Sequence, residues 1–210
     1  MNELYKKIEE SDIKSVFFAE KLYEFNFRKK YLKEMLDELV MNNEIIHIQR
    51  NVYILGRMLR KELPSEQILS NLLIPNSYVS MEYLLSRISW IPENVYVVTC
   101  VTNEKPQKIN TYIGNFRYIN LPQNNYVAGI DKCNEGNYYY FKARPLKALA
   151  DIVCNRKHNW TSLHPLIYSL RIEEDDLKTF TSYDFEELDG VYRDKNVNMF
   201  LDGIRKELLL

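Results

Sequence analysis

The sequence is short of several features that would assign it to a class of protein at once. It has 6 glycines, 3 cysteines and a formal net charge of −1 in 210 residues. A near-neutral chain has no global attraction for nucleic acid, so any DNA-binding surface has to be local. The cysteines Cys100, Cys133 and Cys154 are far apart and include no CxxC pair, which argues against a zinc site and favours free thiols in a reducing cytosol.

Long apolar runs are also missing. No stretch approaches the ~20 apolar residues that a membrane-spanning helix needs. The N-terminus MNELYKKIEE mixes acids and bases without the apolar centre of a signal peptide. With 46% hydrophobic and 27% charged residues, the composition is that of an ordinary folded protein of one large or two small domains. We therefore expect a cytoplasmic protein with no membrane partner.

Motifs of the common enzyme classes are absent as well. The chain contains no P-loop, no glycine-rich dinucleotide turn, no nucleophile elbow, no HExxH and no spaced Cys/His set. His158 and His164 lack partners at metal-ligand spacing, and the acidic residues before Asp176-Leu177-Lys178 favour a helix or loop over a nuclease strand. The sequence thus predicts no catalytic residue, no cofactor and no metal.

The most informative stretch runs from Asn26 to Leu55, where a cationic helix precedes two β-branched runs. Short helices are predicted before it, over about residues 2–10 and 19–23. Asn26 is a candidate N-cap for the third helix, and Asn42-Asn43 is a candidate stop. The buried stripe of that helix has the i, i+3, i+4, i+7 spacing of an amphipathic helix and consists of Leu32, Met35, Leu36 and Leu39.

Two strand-like runs, Ile45–Ile48 and Val52–Leu55, follow that helix. The three residues between them predict a hairpin turn, in which Asn51 can take the positive φ of a tight turn. Three helices and a two-stranded hairpin predict a winged helix-turn-helix, whose third helix enters the major groove of DNA. The sequence therefore predicts a DNA-binding N-terminal domain.

Seven polar side chains in this stretch are candidates for contacting double-stranded DNA: Arg28, Lys29, Lys30 and Lys33 on the helix, and Gln49, Arg50 and Asn51 at the hairpin turn. A helical wheel puts Lys30 and Lys33 outward, with Lys29 on the flank and Arg28 toward the buried side. Cations in the first turns oppose the helix dipole, and a bound phosphate would remove that penalty. The alternative is a solvated face, because residues 1–56 carry nine Lys or Arg against ten Asp or Glu.

A joint is predicted at residues 56–64, dividing the chain into residues 1–60 and 61–210. In the second part, helices are expected over residues 65–74, from Ser77 or Ser80 to Trp90, over 144–154 and over 194–209. Strands are expected at 95–101, 108–113, 116–121 and 138–141, with a turn at Gly114-Asn115. The predicted class is α+β: a winged helix-turn-helix plus a larger α+β domain with a small antiparallel sheet and flanking helices.

Several motifs of the second part resemble one family. They are Ser77–Leu85 (SYVSMEYLL), Ile91-Pro92-Glu93, Val97–Thr102 (VVTCVT), Gly114–Tyr118 (GNFRY) and Pro145–Asp151 (PLKALAD). In order and spacing, over about residues 15–155, they are similar to the AbiEi-type antitoxins of type IV (abortive-infection) toxin–antitoxin systems. Leu146, Asn51 and Phe18 depart from the family, which usually has Glu, Gly and Ser or Thr there.

The resemblance implies a transcriptional regulator that represses its own toxin–antitoxin operon and neutralises a nucleotidyltransferase-like protein toxin in phage defence. The alternative is a protein-interaction module, or a solitary regulator with no cognate toxin. From the residues alone, Tyr78, Leu84, Trp90 and Phe116 are expected to be core residues. Lys147 and Asp151, at i and i+4, are expected to form an ion pair on a helix surface.

Acidic residues are concentrated between Glu173 and Asp189, where eight acids stand against Lys178 alone. The simplest interpretation is a solvated helical face. The alternative hypothesis is that this acidic strip docks a basic toxin surface or masks the cationic third helix.

Overall fold

The structure is a computed structural model that describes residues 2–60 and 62–210. The chain divides into two compact units, Met1–Ser65 and Glu66–Leu210, so the division falls five residues after the expected one. Each unit combines helices with strands, and the fold class is α+β. No helix in the described residues is both long and apolar enough to cross a membrane.

In its described residues, 2–60 and 62–65, the N-terminal unit has three helices and a three-stranded sheet. Its elements are α1 (Glu3–Glu9), β1 (Val16–Phe18), a 3₁₀ helix (Ala19–Phe25), α2 (Lys29–Met41), β2 (Ile45–Gln49) and β3 (Val52–Leu55). β3 is the central strand and pairs antiparallel with both β1 and β2. The two predicted strands of the hairpin are therefore present, and β1 adds a third strand to them.

The buried face of α2 is the predicted one. Leu32, Met35, Leu36 and Leu39 are each at most 5% exposed. They pack against apolar side chains from α1, β1, the 3₁₀ helix, β2 and β3, namely Leu4, Ile8, Phe17, Leu22, Ile45 and Leu55. The periodicity of 3.6 residues thus identified correctly the face that closes this core.

The entry into α2 differs from the prediction. The second helix is a 3₁₀ helix, because its inward side chains Ala19, Leu22 and Phe25 recur every three residues. Asn26 is not the N-cap of α2: it ends the 3₁₀ helix in the left-handed conformation, with φ of 59°. Arg28 precedes α2 instead, and its side chain makes no capping hydrogen bond.

The C-terminal unit is built on a six-stranded mixed sheet with the order β6-β7-β5-β4-β9-β8. Its strands are β4 (Tyr78–Val79), β5 (Val97–Val101), β6 (Gln107–Asn110), β7 (Asn115–Ile119), β8 (Ile130–Glu135) and β9 (Tyr138–Ala143). The expected purely antiparallel sheet is wrong, because β5 runs parallel to β7 and β4 parallel to β9. The polar β6 takes the edge, which leaves the more buried β7 to lie beside β5.

Two strands of this sheet were not predicted. β4 has only two residues, too few for a periodic pattern to show. β8 reads IDKCNE and is mostly exposed, so its sequence resembles a polar loop. Both lie beside β9, which reads YYYFKA and was recognised as a strand. Local patterns therefore miss strands that are very short or that lie at a wet edge.

Helices cover this sheet, and one of them is almost completely buried. They are α3 (Glu66–Leu73), α4 (Met81–Arg87), α5 (Pro145–Arg156), α6 (His164–Tyr168), α7 (Glu174–Leu177), α8 (Ser182–Leu188) and α9 (Lys195–Glu207). Every residue of α5 from Leu146 to Cys154 is buried. Pro145 occupies its first turn, where its missing N–H would have no partner within the helix. α5 packs against α4 and α9, so it is the central helix of the unit.

Candidate functional site

The N-terminal unit presents cations at the start of α2. Arg28, Lys29, Lys30 and Lys33 are all exposed. The prediction that Arg28 points toward the core is wrong, because this residue lies outside the helical part of the chain, at the position before α2. Lys29 lies over the ring of Tyr23, with its Nζ 5.9 Å from the ring centroid. This lysine therefore has an aromatic contact, whereas the other three cations extend into solvent.

These cations are not neutralised by the protein. Within the described part of the chain, Arg28, Lys30 and Lys33 form no ion pair, and the same holds for Arg50. No acid lies in the first turn of α2 and no base in its last turn. Because a helix dipole favours the opposite placement, α2 carries its charges in an intrinsically unfavourable order. An external anion at the start of the helix would relieve this.

The hairpin between β2 and β3 supplies the remaining candidates. Arg50 is exposed at the tip, and Asn51 takes the predicted positive φ, of 66°. Gln49 is half-buried and ends β2. The side chain of Asn51 is exposed but is engaged within the unit, because its Nδ2 donates to Glu20 Oε1 at 3.0 Å. Arg50 is therefore the candidate that the tip presents outward.

The 3₁₀ helix connects the hairpin tip to the start of α2. The backbone N–H of Ala19 donates to the carbonyl of Asn51 at 2.8 Å, which ties the first residue of the 3₁₀ helix to the tip. A seven-residue 3₁₀ helix spans about 14 Å. The three residues that follow, 26–28, add at most about 10 Å. With the 2.8 Å bond included, the backbone at the hairpin tip thus lies within about 27 Å of the start of α2, less than the ~34 Å of one DNA turn.

In the C-terminal unit, a buried polar network surrounds two charged residues of α5. Lys147 and Asp151 are both 0% exposed, so the expected ion pair on a helix surface is wrong. The spacing i, i+4 correctly puts them on one face, but that face points into the core rather than into water. Gln123 bridges them: its Oε1 accepts from Lys147 Nζ at 3.2 Å, and its Nε2 donates to Asp151 Oδ1 at 3.0 Å.

Hydroxyl groups complete this network. Asp151 accepts hydrogen bonds from Ser80 at 2.6 Å, from Tyr192 at 2.6 Å and from Tyr78 at 3.3 Å. Lys147 Nζ lies between two rings, 5.2 Å from the centroid of Tyr78 and 5.1 Å from that of Tyr192. Ser80 holds the N-cap position of α4, but its hydroxyl is used on Asp151 and makes no capping bond. Charged groups without water are stabilised by such a set of partners.

Burial changes the proton affinity of both charged groups. Loss of water raises the pKa of Asp151 above its ordinary value, opposed by the charge of Lys147 and by the hydroxyl donors. Loss of water lowers the pKa of Lys147, opposed by the charge of Asp151. Burial also raises the pKa of the tyrosine hydroxyls of Tyr78 and Tyr192, which therefore remain donors. The network is thus a set of mutually satisfied groups that ties β4, α5 and the segment around Tyr192 together.

The ring of Tyr78 also lines a cavity of about 490 Å³. Tyr126 forms another wall, with its ring centroid 5.1 Å from that of Tyr78. Its hydroxyl lies 2.8 Å from the carbonyl of Asn76 and 2.7 Å from that of Val101, and donates to one of them at a time. Phe141 and Lys132 line the side formed by β9 and β8. Its size is within the usual range for small-ligand pockets, but Lys147 and Asp151 do not line it. The two buried charged groups therefore do not face this cavity.

The acidic strip between Glu173 and Asp189 is partly used inside the C-terminal unit. Asp184 and Glu187 both contact Arg144, Asp184 at 3.6 Å. Asp184 also accepts from the backbone and the hydroxyl of Thr181, which forms a capping box at the start of α8. These acids are not a freely solvated face, because they hold α8 against the start of α5.

Metal-ligating side chains are scattered. In residues 2–60 and 62–210, no three His, Cys, Asp or Glu side chains are grouped so that they could hold a metal ion. All three cysteines are free thiols, and burial raises the pKa of the Cys100 thiol to about 12. The Cys100 thiol is therefore protonated and unreactive at neutral pH.

No protein-family model matches the chain. A search of curated proteins likewise finds no significant match.

Proposed function

We propose that the chain is a DNA-binding transcriptional regulator whose N-terminal unit is a winged helix-turn-helix. The order of helix, strand, short helix, helix and hairpin is the one that this motif requires, with α2 as the recognition helix and the hairpin as the wing. The observation that carries the proposal is the set of exposed cations on α2 and at the hairpin tip, which form no ion pair among the described residues. Lys30, Lys33 and Arg50 are the principal phosphate contacts in this proposal.

The test is DNA binding by the full-length protein, with a duplex from the region upstream of its own gene. Replacing Lys30, Lys33 and Arg50 by Ala should weaken binding on the order of 100-fold. It should also reduce the salt slope of the binding constant by about 2.7, because each lost phosphate contact removes about 0.9. A gel shift or fluorescence anisotropy at several salt concentrations measures both quantities.

The matched control removes three exposed cations of the same unit that lie outside α2 and the hairpin: Lys6, Lys21 and Arg57. This variant has the same net charge as the first, so a general electrostatic attraction would weaken both equally. Only the first variant should lose most of its affinity. Equal affinity of the two variants would refute the assigned surface, and no binding by the wild-type protein would refute the function.

We further propose that the chain represses a toxin–antitoxin operon and neutralises a nucleotidyltransferase-like toxin, as the resemblance to AbiEi-type antitoxins implies. Two of the motifs that carry the resemblance meet in the buried network: Ser80 comes from the first, and Lys147 and Asp151 from the last. Their meeting supports a core like that of the AbiEi-type family. Because these three side chains are fully buried, they are not candidates for toxin contacts. Leu146, which departs from the family, is 2% exposed, so an apolar side chain fits there.

The antitoxin function is tested by the neighbouring gene. A downstream reading frame with the nucleotidyltransferase signature, a Gly-Ser turn followed by paired aspartates, should encode the toxin. Expression of that toxin should arrest growth, and co-expression of this chain should relieve the arrest. Continued growth arrest would contradict the proposal. We propose binding rather than catalysis as the activity, because Asp151, the carboxylate of the buried network, is fully buried and accepts hydrogen bonds from four donors.

The acidic strip remains a candidate toxin-docking surface, and the structure identifies which residues can test this. Reversing Asp184 or Glu187 would break their contacts with Arg144 and would confuse folding with docking. Glu173, Glu174 and Asp189 are exposed and make no ion pair within the described residues. Their replacement by Lys should abolish toxin neutralisation if the strip docks a basic surface, and unchanged neutralisation would exclude the strip.

A second candidate function is a protein-interaction module that does not bind DNA. The observation in its favour is the balanced charge of residues 1–56, nine bases against ten acids. The same upstream duplex discriminates the two, because only the regulator should bind it with a steep salt dependence.

A further inference from the structure

The hairpin tip is held at two points by residues that precede α2. Asn51 Nδ2 donates to Glu20 Oε1 at 3.0 Å, and the Asn51 carbonyl accepts from the Ala19 N–H at 2.8 Å. The β1–β3 ladder ends next to this point, where Phe18 pairs with Val52. Glu20 is thus the side chain that adds a specific bond where backbone pairing stops.

The position of Glu20 is electrostatically unfavourable for a surface that binds DNA. It places a negative charge at the tip that carries Arg50, where a phosphate would be repelled. A neutral acceptor such as Gln could make the same hydrogen bond without that penalty. The carboxylate makes a stronger bond than a neutral acceptor would, which gives the tip a more rigid attachment.

We propose that Glu20 is a positioning residue for the wing. Through Asn51, it fixes the tip to the 3₁₀ helix and so sets the distance between Arg50 and the cations of α2. In this role Asn51 is part of the attachment and not a DNA contact, unlike Gln49 and Arg50. The inference rests on the proposed DNA-binding function, but its first test does not involve DNA.

The first test measures how firmly the tip is attached in the free, full-length protein. The N–H of Ala19 is the reporter, because it donates to Asn51. Glu20→Ala should increase its hydrogen-exchange rate by about 3- to 10-fold, the usual effect of losing one hydrogen bond. Glu20→Gln should leave the rate close to that of the wild type, because the amide oxygen still accepts.

The matched control is Glu24→Ala. Glu24 lies on the same 3₁₀ helix, and its carboxylate pairs with Lys21 at 2.8 Å rather than with the hairpin. Glu24→Ala removes the same charge as Glu20→Ala but no bond to the hairpin, so the exchange rate of the Ala19 N–H should stay at the wild-type value. Equal acceleration by Glu20→Ala and Glu24→Ala would overturn the proposal, because it would show a general effect on the 3₁₀ helix.

A variant of Asn51 tests the other side of the same bond. Asn51→Gly keeps access to the observed φ of 66° while it removes the amide. It should accelerate exchange at Ala19 as much as Glu20→Ala, and the double variant should be no faster than either one. Additive acceleration in the double variant would mean that the two residues act independently, contrary to the proposal.

The second test uses the duplex from upstream of the gene. If Glu20 acted only through its charge, both Glu20→Ala and Glu20→Gln would strengthen binding by the same factor. Positioning predicts opposite directions: Glu20→Gln binds at least as tightly as the wild type, and Glu20→Ala about 3-fold more weakly. In an Arg50→Ala background, the loss caused by Glu20→Ala should disappear, because the group being positioned is gone.

These outcomes separate the inference from the function beneath it. If the wild-type protein does not bind the duplex, DNA binding fails, and the exchange rates still decide whether Glu20 holds the tip. If the wild-type protein binds and Arg50→Ala binds weakly, but Glu20→Ala behaves like Glu20→Gln, DNA binding stands and the positioning role is wrong.

Discussion

The two units of the protein treat charge in opposite ways. The N-terminal unit leaves Lys30, Lys33 and Arg50 exposed, with no ion pair to any residue that the structure describes, whereas the C-terminal unit buries Lys147 and Asp151 completely. An exposed cation is stabilised by water and adds little to folding, so it remains available for a partner. A buried charge loses its water and is tolerated only when other groups replace it. The charges of the first unit are therefore open to a partner, whereas those of the second are part of its core.

The largest effect should come from removing the buried carboxylate. Asp151→Ala would leave four hydrogen-bond donors without their acceptor and the buried Lys147 without its opposite charge, which should lower the free energy of unfolding by about 3–5 kcal/mol. Urea denaturation of the full-length protein measures this. Asp202→Ala, on an exposed part of α9, is the control and should change stability by less than about 0.5 kcal/mol. Similar losses in the two variants would show that the network is not the basis of stability.

The second largest effect on stability should come from removing the charge of Lys147, and its size should depend on pH. Lys147→Met removes the positive charge that lowers the pKa of Asp151, so that pKa should rise further above its ordinary value. A group with a raised pKa in the folded state binds its proton more tightly there than in the unfolded chain. Its contribution is therefore greatest at low pH and is lost as the pH rises through the folded-state pKa.

Lys147→Met should consequently lose more stability at about pH 7.5 than at about pH 5. Denaturation curves for this variant and the wild type at both pH values give the comparison. A stability loss that does not change with pH would mean that Asp151 does not titrate in this range, and that the charge of Lys147 is not what keeps it ionised.

A smaller loss of stability is expected from replacing Arg144, a cation that is only partly buried. Arg144 is 24% exposed and contacts Asp184, Glu187 and Asp131. Arg144→Met keeps the aliphatic part of the side chain, and should cost about 1 kcal/mol of unfolding free energy because water partly replaces the lost contacts. Arg171→Met, which removes the pairing of an exposed arginine with Glu93, is the control and should have no measurable effect. A loss in the control as large as that in Arg144→Met would show that partial burial adds nothing.

Local patterns predicted the elements of the N-terminal unit better than their exact form. The stripe on α2 and the turn at Asn51 were predicted because each depends on neighbours within a few residues. The helix over residues 19–23 was predicted, but its 3₁₀ form was not, since inward side chains at Ala19 and Leu22 fit a spacing of three as well as one of 3.6. The role of Asn26 was wrong for a related reason: Asn suits both an N-cap and a left-handed helix end.

The buried network could not be predicted from sequence patterns. The spacing of Lys147 and Asp151 is the same whether their face meets water or the core. Their partners are far away in the chain: Ser80 lies 71 residues from Asp151, and Tyr192 lies 41 residues from it. A spacing of four gives one face of a helix, but only the packing of β4 and the segment at Tyr192 decides what that face meets. Glu20 was missed for the same reason, because its bond to Asn51 spans 31 residues.

The smallest effect on stability should come from removing the exposed cations of the N-terminal unit. Replacing Lys30, Lys33 and Arg50 by Ala should change the free energy of unfolding by less than about 0.5 kcal/mol per site. It could even stabilise α2, because Lys30 opposes the helix dipole in the first turn. Urea denaturation without DNA, followed by binding to the upstream duplex, gives both quantities for one variant. Unchanged stability with lost binding would assign these charges to a partner, whereas a large loss of stability would mean that they hold the N-terminal unit together, as Asp151 is expected to do for the C-terminal one.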